Sequence, residues 1–376
     1  MPVACDDASM STKVPLDSWQ VGPWNRWAYV HVGEVVQTVP VSRGDGRVWQ
    51  LERGSAELDD LVESLRGSAY VDGLAIVHRG RLVAERYGGE MTETSLHLSQ
   101  SVGKSVLGLL VGILVARGAL DPDEPVVERV PEVAGSGYSG ATVQHLLDMT
   151  AAIDFVEDYT VDFWRFDVAC GWHPPVAGAD ESTILEFLPT IGAAEWRHGE
   201  RFHYATPNTD LLGIVAERAG GAPLSELIAG ELWAAMGAEH DAELTVDPAG
   251  TAAIGGGFCA TLRDYARLGA LVAEGGRGVV PAAWIERLGS GDARAFARCT
   301  VPEDRAGAEG YGNQWWQRDA RTMARGIHGQ LIAVDPATGT VLTVVSSWPD
   351  ATDRTLEAIH RGTTARVCDR LSEAPT

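Results

Sequence analysis

His97-Leu98-Ser99-Gln100-Ser101-Val102-Gly103-Lys104-Ser105 is the stretch on which the reading of this 376-residue chain turns. Ser101 stands three residues before Lys104, and an apolar run, Val106 to Val115, follows. A helix over that run stacks Ser101 and Lys104 on one face, one turn apart. Ser101 then occupies the first turn, where unpaired N–H groups and the positive end of the macrodipole favour developing negative charge. A neutral lysine amine within reach can take a serine proton, and burial or a neighbouring charge is what makes a lysine neutral. Composition adds weight, because lysine occurs only at Lys13 and Lys104 among 30 Lys plus Arg. Arginine keeps its proton in a protein, whereas a desolvated lysine can lose it. The competing reading is a chance Ser-x-x-Lys tetrapeptide, and the scarcity of lysine and the apolar helix behind it count against that.

Other chemistries fail on the same rows. Gly103-Lys104-Ser105 resembles the end of a phosphate-binding loop, but that loop needs a glycine five positions before its Gly-Lys pair, and Leu98 stands there. A Ser-His-Asp hydrolase needs Gly-x-Ser-x-Gly, which no serine here fits; Ser139 is followed directly by Gly140. Neither His-Glu-x-x-His nor paired-cysteine spacing occurs, so no metal and no cofactor are expected.

Working outward, 45% hydrophobic and 22% charged residues describe an ordinary soluble globular chain, one large domain or two intimate ones. The net charge of −22 argues against nucleic acid or an anionic membrane surface as partner. No run approaches the roughly 18 apolar residues that span a bilayer. The opening Met1-Pro2-Val3-Ala4-Cys5-Asp6-Asp7 is acidic and shows no secretory pattern. Five scattered cysteines (Cys5, Cys170, Cys259, Cys299, Cys368) read as reduced thiols, and the expected location is the cytoplasm.

The first 50 residues, rich in tryptophan and proline, are expected to wrap over the body. Leu58, Leu61, Val62 and Leu65 have helical spacing, and Leu74–Val77 with Leu82–Arg86 around Arg79-Gly80 read as a β-hairpin. Helices are expected from Ser101 to about Arg117, over Val143–Met149, Asn208–Ala219, Leu224–Met236, Leu262–Glu274, around Trp284–Leu288, and from about Arg354 to Leu371. Residues 154–182 read as a long loop near a site. Strand texture returns at Gln314–Gln317, Leu331–Val334 and Val341–Ser347. One antiparallel sheet built from both chain ends follows, with 1–118 and 247–376 forming a discontinuous α/β sheet domain. The mostly helical residues 119–246 are inserted, and the active site is expected at the interface.

A serine–lysine site also needs a proton carrier and an oxyanion hole. Tyr204, in Arg201-Phe202-His203-Tyr204-Ala205-Thr206-Pro207-Asn208, directly precedes a helix, and a tyrosine beside a lysine ammonium can shuttle a proton. Arg325-Gly326-Ile327-His328-Gly329-Gln330 leads into a strand, and its glycines let backbone approach a substrate. A core role is the plainer reading for both Tyr204 and His328.

Together these stretches resemble the serine β-lactamase-like family: class C β-lactamases, DD-peptidases and related esterases, and within it the nylon-oligomer (6-aminohexanoate-dimer) hydrolases. The likeness takes in Leu16-Asp17-Ser18-Trp19-Gln20, Asn25-Arg26-Trp27-Ala28, Leu147-Asp148-Met149, Glu157-Asp158-Tyr159, Asn208-Thr209-Asp210, Gln314-Trp315-Trp316, Gly326-Ile327-His328-Gly329-Gln330 and Ser346-Ser347-Trp348-Pro349. It implies an α/β (α+β), β-lactamase/transpeptidase-like fold, an antiparallel sheet flanked by helices. It also implies Ser101 as the acylated nucleophile, Lys104 as its activator, and Tyr204 as general base and then acid. The N–H groups of Ser101 and Ile327 would form the oxyanion hole. Tyr159 would lie on a loop closing over substrate, Asp167 near the substrate's amino end, Trp316 as a pocket wall, and His328 at the pocket's border.

Three departures stand out. Thr206 replaces the family's Ser or Asn. The loop after Tyr159 is shorter and more aromatic, with Phe163, Trp164 and Phe166. Ala324-Arg325-Gly326 replaces Lys-Thr-Gly, which weighs against β-lactam turnover. The expected activity is acyl-enzyme hydrolysis of short carboxylic esters and of small linear amides such as 6-aminohexanoate oligomers. The alternatives are a β-lactam or D-amino-acid peptide hydrolase, or a catalytically silent binding protein on this fold. The partner is a small-molecule ester or amide, neither nucleic acid nor membrane, and a homodimer is left open as the assembly.

Overall fold

The computed structural model describes residues 14–67, 70–159, 164–177, 182–299 and 307–373. Lys13 and Phe163, which the sequence singles out, lie outside them, as does the side chain of Trp164. The strands, in chain order, are β1 (Thr38–Val41), β2 (Glu52–Arg53), β3 (Val71–His78), β4 (Arg81–Tyr87), β5 (His97–Leu98), β6 (Ile153–Asp154), β7 (Gly192–Ala193), β8 (Ala242–Thr245), β9 (Phe258–Ala260), β10 (Gly310–Gly312), β11 (Trp315–Arg318), β12 (Arg321–Gly326), β13 (Gln330–Asp335) and β14 (Thr340–Ser346).

Chemistry at the turns explains how the main sheet forms. Arg79 and Gly80 both take positive φ, closing β3 onto β4 as the sequence predicts. Asp335 Oδ1 accepts from the N–H groups of Ala337 and Thr338 and so closes the turn between β13 and β14. The eight strands run in the order β10-β11-β12-β13-β14-β3-β4-β2. They pair antiparallel, except that β2 lies parallel to β4. Early and late chain meet at the centre, where Ile76 opposes Leu342 and Leu74 opposes Val344. Both central strands are buried almost throughout, which accounts for their unbroken apolar runs.

Two parts of the sheet structure depart from expectation. β12 carries arginine at Arg321 and Arg325 and buries only its middle, so it lacks the alternation that marks a strand. A second sheet, β1-β8-β9-β5, ties residues of the first 50, the middle and the late chain together. Its strands have two to four residues each, too few to show a period. β8 falls within 119–246, yet it pairs with β1 and β9.

The helices that position the site are α1 (Asp59–Arg66), α2 (Val102–Ala116), α3 (Val143–Leu147), α4 (Trp164–Ala169), α5 (Thr206–Gly220), α6 (Leu262–Ala273) and α7 (Arg354–Ser372). α4 lies in the stretch expected to be a loop, and Phe166 buries one of its faces against Phe155 and Phe187. Thr142 caps α3 with a reciprocal capping box, its hydroxyl accepting from His145 N–H. α5 begins with Pro207 in its first turn and ends at Gly221, φ +71°.

α2 is buried on every side from Val102 to Leu114. Its glycines are there for contact. A Cβ on Gly103 would lie 2.4 Å from the Ile254 carbonyl oxygen, and one on Gly108 2.3 Å from that of Asn313. Side chains lock the helix further: Trp284 Nε1 donates to Gly108 O at 2.9 Å, and Ser105 Oγ to Gln314 O at 2.7 Å. From residue 14 onward the N-terminal stretch packs on the body, with Trp19, Trp27 and Tyr29 buried in the main core. Among the described residues no helix is long and apolar enough to cross a membrane.

Candidate active site

Ser101 lies three residues after the end of β5 and forms the N-cap of α2. Gln100, just before it, is held in the left-handed region at φ +48°, an uncommon conformation for a residue with a side chain. The end of β12 comes alongside: a Cβ on Gly326 would lie 2.6 Å from Ser99 O and 3.0 Å from Ser101 N. Only glycine lets the strand pass so close to the serine's backbone.

Lys104 is buried beneath Ser101, and its Nζ has three partners: Ser101 Oγ at 2.8 Å, Thr206 Oγ1 at 2.9 Å and Gly255 O at 2.6 Å. Desolvation pushes its pKa down, opposed by Glu157 and Asp210. The three partners are not equivalent. Gly255 O is a carbonyl and can only accept. The Thr206 hydroxyl donates its own proton to Glu157 Oε1 at 2.8 Å, so towards Lys104 it too accepts. A neutral amine has two N–H groups and one lone pair, and those two acceptors take both N–H groups. In that neutral form the lone pair would face Ser101 Oγ, the one partner with a proton to give; in the ammonium form Nζ donates to all three.

Carboxylates surround this centre. Glu157 accepts from the Thr206 hydroxyl and N–H and from the Tyr159 hydroxyl. Asp210, one turn beyond Thr206 on α5, accepts from Gly255 N–H at 2.7 Å, and burial raises its pKa to about 7. Gly255 thus joins the two: its N–H binds Asp210 and its carbonyl binds Lys104.

Tyr204 immediately precedes α5, and Lys104 Nζ stands 5.2 Å from its ring centroid. The ring stacks on Trp316 at 5.4 Å and meets Tyr311 edge-on at 6.0 Å. Neither Tyr204 nor Trp316 is among the residues that line the cleft over Ser101, and Trp316 stacks on the Tyr204 ring. Ala324 stands at the position of the family's Lys-Thr-Gly lysine, and Arg325, at the threonine position, is engaged elsewhere. It pairs with Glu357 at 3.4 Å and lies over Trp316, 5.8 Å from the ring centroid.

A cleft enclosing about 240 Å³ opens over Ser101. Tyr159, Asp167, Ile327 and His328 all line it. Asp167 is partly buried, and that desolvation, with the nearby Glu157 charge, raises its pKa to about 8. His328 is pushed down to about 4 by burial and is neutral, so its Nδ1–H donates to Trp348 O at 2.7 Å. Its ring also packs edge-on against Tyr29.

Three contributors to the cleft have no place in the sequence reading as site residues. Glu157 entered only as part of a matched tripeptide, and no spacing could show that its carboxylate reaches Thr206. Gly255 belongs to a glycine cluster whose meaning depends on α5 packing against it, where a Cβ would lie 2.6 Å from Thr206 Cγ2. The stretch Leu16–Val21 lines one side of the cleft, anchored where Trp19 Nε1 donates to Trp172 O at 2.9 Å. Among the described residues no group of three or more His, Cys, Asp or Glu is placed to hold a metal ion.

Residues 58–365 match the protein-family model described as Beta-lactamase. The chain is 37% identical over 364 residues to a 6-aminohexanoate-dimer hydrolase of Paenarthrobacter ureafaciens, covering 92% of this chain and 91% of that one. It is 30% identical over 196 residues to the esterase EstB of Burkholderia gladioli, covering 46% and 47% of the two chains. A solved structure from Bacillus anthracis, provisionally described as a 6-aminohexanoate-dimer hydrolase, superposes with a TM-score of 0.87. That likeness covers 97% of this chain and 98% of that one at 21% identity, and so speaks to the fold.

Proposed function

The chain belongs to the Beta-lactamase family and is a serine hydrolase, and we propose that it cleaves short carboxylic esters and small linear amides of the 6-aminohexanoate type through an acyl-enzyme on Ser101. One observation carries the assignment. Lys104 is buried against Ser101 Oγ with its other two partners able only to accept, so in the neutral form its lone pair is directed at the serine proton.

In the proposed cycle Ser101 Oγ attacks the substrate carbonyl while its proton passes to Lys104. The oxyanion is held by the N–H groups of Ser101 and Ile327. Tyr204 protonates the leaving oxygen or nitrogen and is reprotonated by Lys104, leaving the acyl ester on Ser101. With water in place of the leaving group the path runs in reverse: water's proton reaches Lys104 through Tyr204, and Lys104 returns it to Ser101 Oγ as the ester bond breaks. Residues 1–118 with 247–376 supply Ser101, Lys104, Gly255 and Ile327, and 119–246 supply Glu157, Tyr159, Asp167, Tyr204 and Thr206. We read these as the two parts between which the cleft lies.

Asp167 selects substrates carrying an ammonium group. With a pKa raised to about 8, its carboxyl is mostly protonated in the empty cleft at neutral pH. A cationic substrate binds the ionised form, so its binding releases a proton and its kcat/KM climbs as pH rises towards 8.

The test is a panel of p-nitrophenyl esters, linear amides and β-lactams with wild type and Ser101→Ala. Ester turnover and fluorophosphonate labelling are expected in wild type only, with losses of at least about 10⁴-fold in the variant. A folded Ser101→Ala protein with near wild-type turnover overturns the nucleophile, and preferential β-lactam turnover overturns the substrate class.

A further inference from the structure

β12 ends at Gly326 against the Ser101 backbone, and the chain leaves the sheet for one turn, Ile327–Gly329, before β13 begins at Gln330. That turn is an awkward piece of backbone. His328 sits in the left-handed region at φ +59°, which residues with a side chain seldom adopt. A Cβ on Gly329, φ +89°, would lie 2.4 Å from the Trp348 indole. Such a conformation persists only where the surroundings over-determine it.

Gln330 supplies much of that constraint. Its buried side chain donates from Nε2 to Ser346 O at 2.6 Å and to His328 O at 3.1 Å, with Ile327 O at 3.4 Å. Its Oε1 accepts from Ser346 N–H at 3.1 Å. The β13–β14 register ends with Leu331 opposite Val344. Beyond it the Gln330 amide gives to and takes from Ser346 as the peptide of a paired strand residue would. The side chain thus carries the sheet one step further where the main chain has turned away, and it ties the turn's carbonyls to that step. On the other side, His328 N–H donates to Ala351 O at 2.8 Å and Trp348 N–H to His328 O at 3.3 Å. Ile327 and His328 line the cleft and Gln330 does not, so Gln330 reaches the site through the turn.

We infer that Gln330 is a positioning residue for the oxyanion hole, its amide holding the Ile327–Gly329 turn so that the Ile327 N–H meets the same oxygen as the Ser101 N–H. This rests on the reading of Ser101 and Ile327 given above. A donor misplaced by about 1 Å forfeits most of its transition-state stabilisation while substrate binding is little affected.

The test compares wild type with Gln330→Met, which keeps the length without the amide, and Gln330→Glu, which keeps the shape and loses the donor. Hydrolysis of p-nitrophenyl acetate gives kcat and KM, and inhibition by phenylboronic acid, which forms a tetrahedral adduct on a serine hydroxyl, gives Ki. Both are measured well below each variant's melting temperature and scaled to the folded fraction. The oxyanion forms in acylation and in deacylation, so kcat is expected to fall about tenfold to a hundredfold with KM little changed. Ki should rise by a similar factor. The acid limb of kcat/KM should stay in place, because no partner of Lys104 is altered. Wild-type kcat and Ki in folded Gln330→Met overturn the inference. A fall in kcat that Ki does not follow also overturns it, being the mark of general loosening. Ile327→Pro run beside them separates the two readings. Gly326 is extended, φ −134° and ψ 154°, and so admits a following proline, which removes the Ile327 N–H. Unchanged kcat and Ki there sink the oxyanion role of Ile327 itself. A raised Ki there, with wild-type Ki in both Gln330 variants, sinks the inference alone.

Discussion

The wall of the cleft that carries Ser101 and the wall that faces it differ in what holds them. On the first, Lys104 is fixed by partners from α2, α5 and the 253–257 turn, and helix glycines bring backbone within contact of backbone. The second is made from Leu16–Val21, the segment ending at Tyr159, and α4 with the residues after it, joined largely by side-chain hydrogen bonds. Tyr159, at 36% exposed, and Val21, at 46%, belong to that side. Close packing leaves each group one position, which is what proton transfer over 2.8 Å requires. Side chains on loops can be exchanged without moving the sheet, so the facing wall is where substrate preference is free to vary.

If the comparison holds, damage to the first wall should cost every substrate alike, and damage to the second should be selective. The severest expected effect, after loss of Ser101, is that of Lys104→Arg. Arginine cannot give up its proton, and its fork does not fit between Gly255 O and Thr206. Acylation measured by stopped-flow with p-nitrophenyl acetate should slow by about 10³-fold for all esters. Near-full activity would mean that the lysine contributes charge alone.

Asp167→Asn tests the other wall. Removing a charge-assisted contact worth roughly 1.5–3 kcal/mol should cost tenfold to a hundredfold on a linear 6-aminohexanoate amide. It should leave neutral short esters nearly as they were. Equal losses on both would erase the distinction between the walls.

Glu157→Gln probes the join between them, since Glu157 binds Tyr159 on one side and Thr206 on the other. Its charge raises the Lys104 pKa. Without it Lys104 gives up its proton more readily, so the acid limb of ester kcat/KM should move to lower pH by about one unit. A limb that stays in place would show that Lys104 does not sense Glu157.

The two walls also differ in how far the sequence reveals them. Ser101, Lys104 and the helix behind them are legible because a helical period is local, and a run apolar on all sides announces burial. The hairpin at Arg79-Gly80 is legible for the same reason, since its turn chemistry lies within two residues. β12 is not, because its arginines point to partners such as Glu357 that are distant in sequence. α4 escapes notice because six residues are too few to show a period and its apolar face is completed by Phe155 and Phe187. Glu157 and Gln330 are the plainest losses. Each is an unremarkable polar residue until folding brings it against Thr206 or Ser346. A resemblance can mark such positions as shared, but only proximity gives them a task.

The pairing of β3 with β14 has a consequence for how the molecule comes into being. Strands from the first and last quarters of the chain lie side by side at the centre of the sheet, and Gly326, at the end of β12, flanks the backbone at Ser101. A chain emerging from the ribosome can therefore form the β3–β4 hairpin early, but it has nothing to lay against the outer edge of β3 until residues 340–346 appear. Contacts so distant in sequence make folding slow, and the apolar α2 has no complete housing in the meantime. Ser101 is among the earlier residues made, yet its surroundings are among the last to assemble.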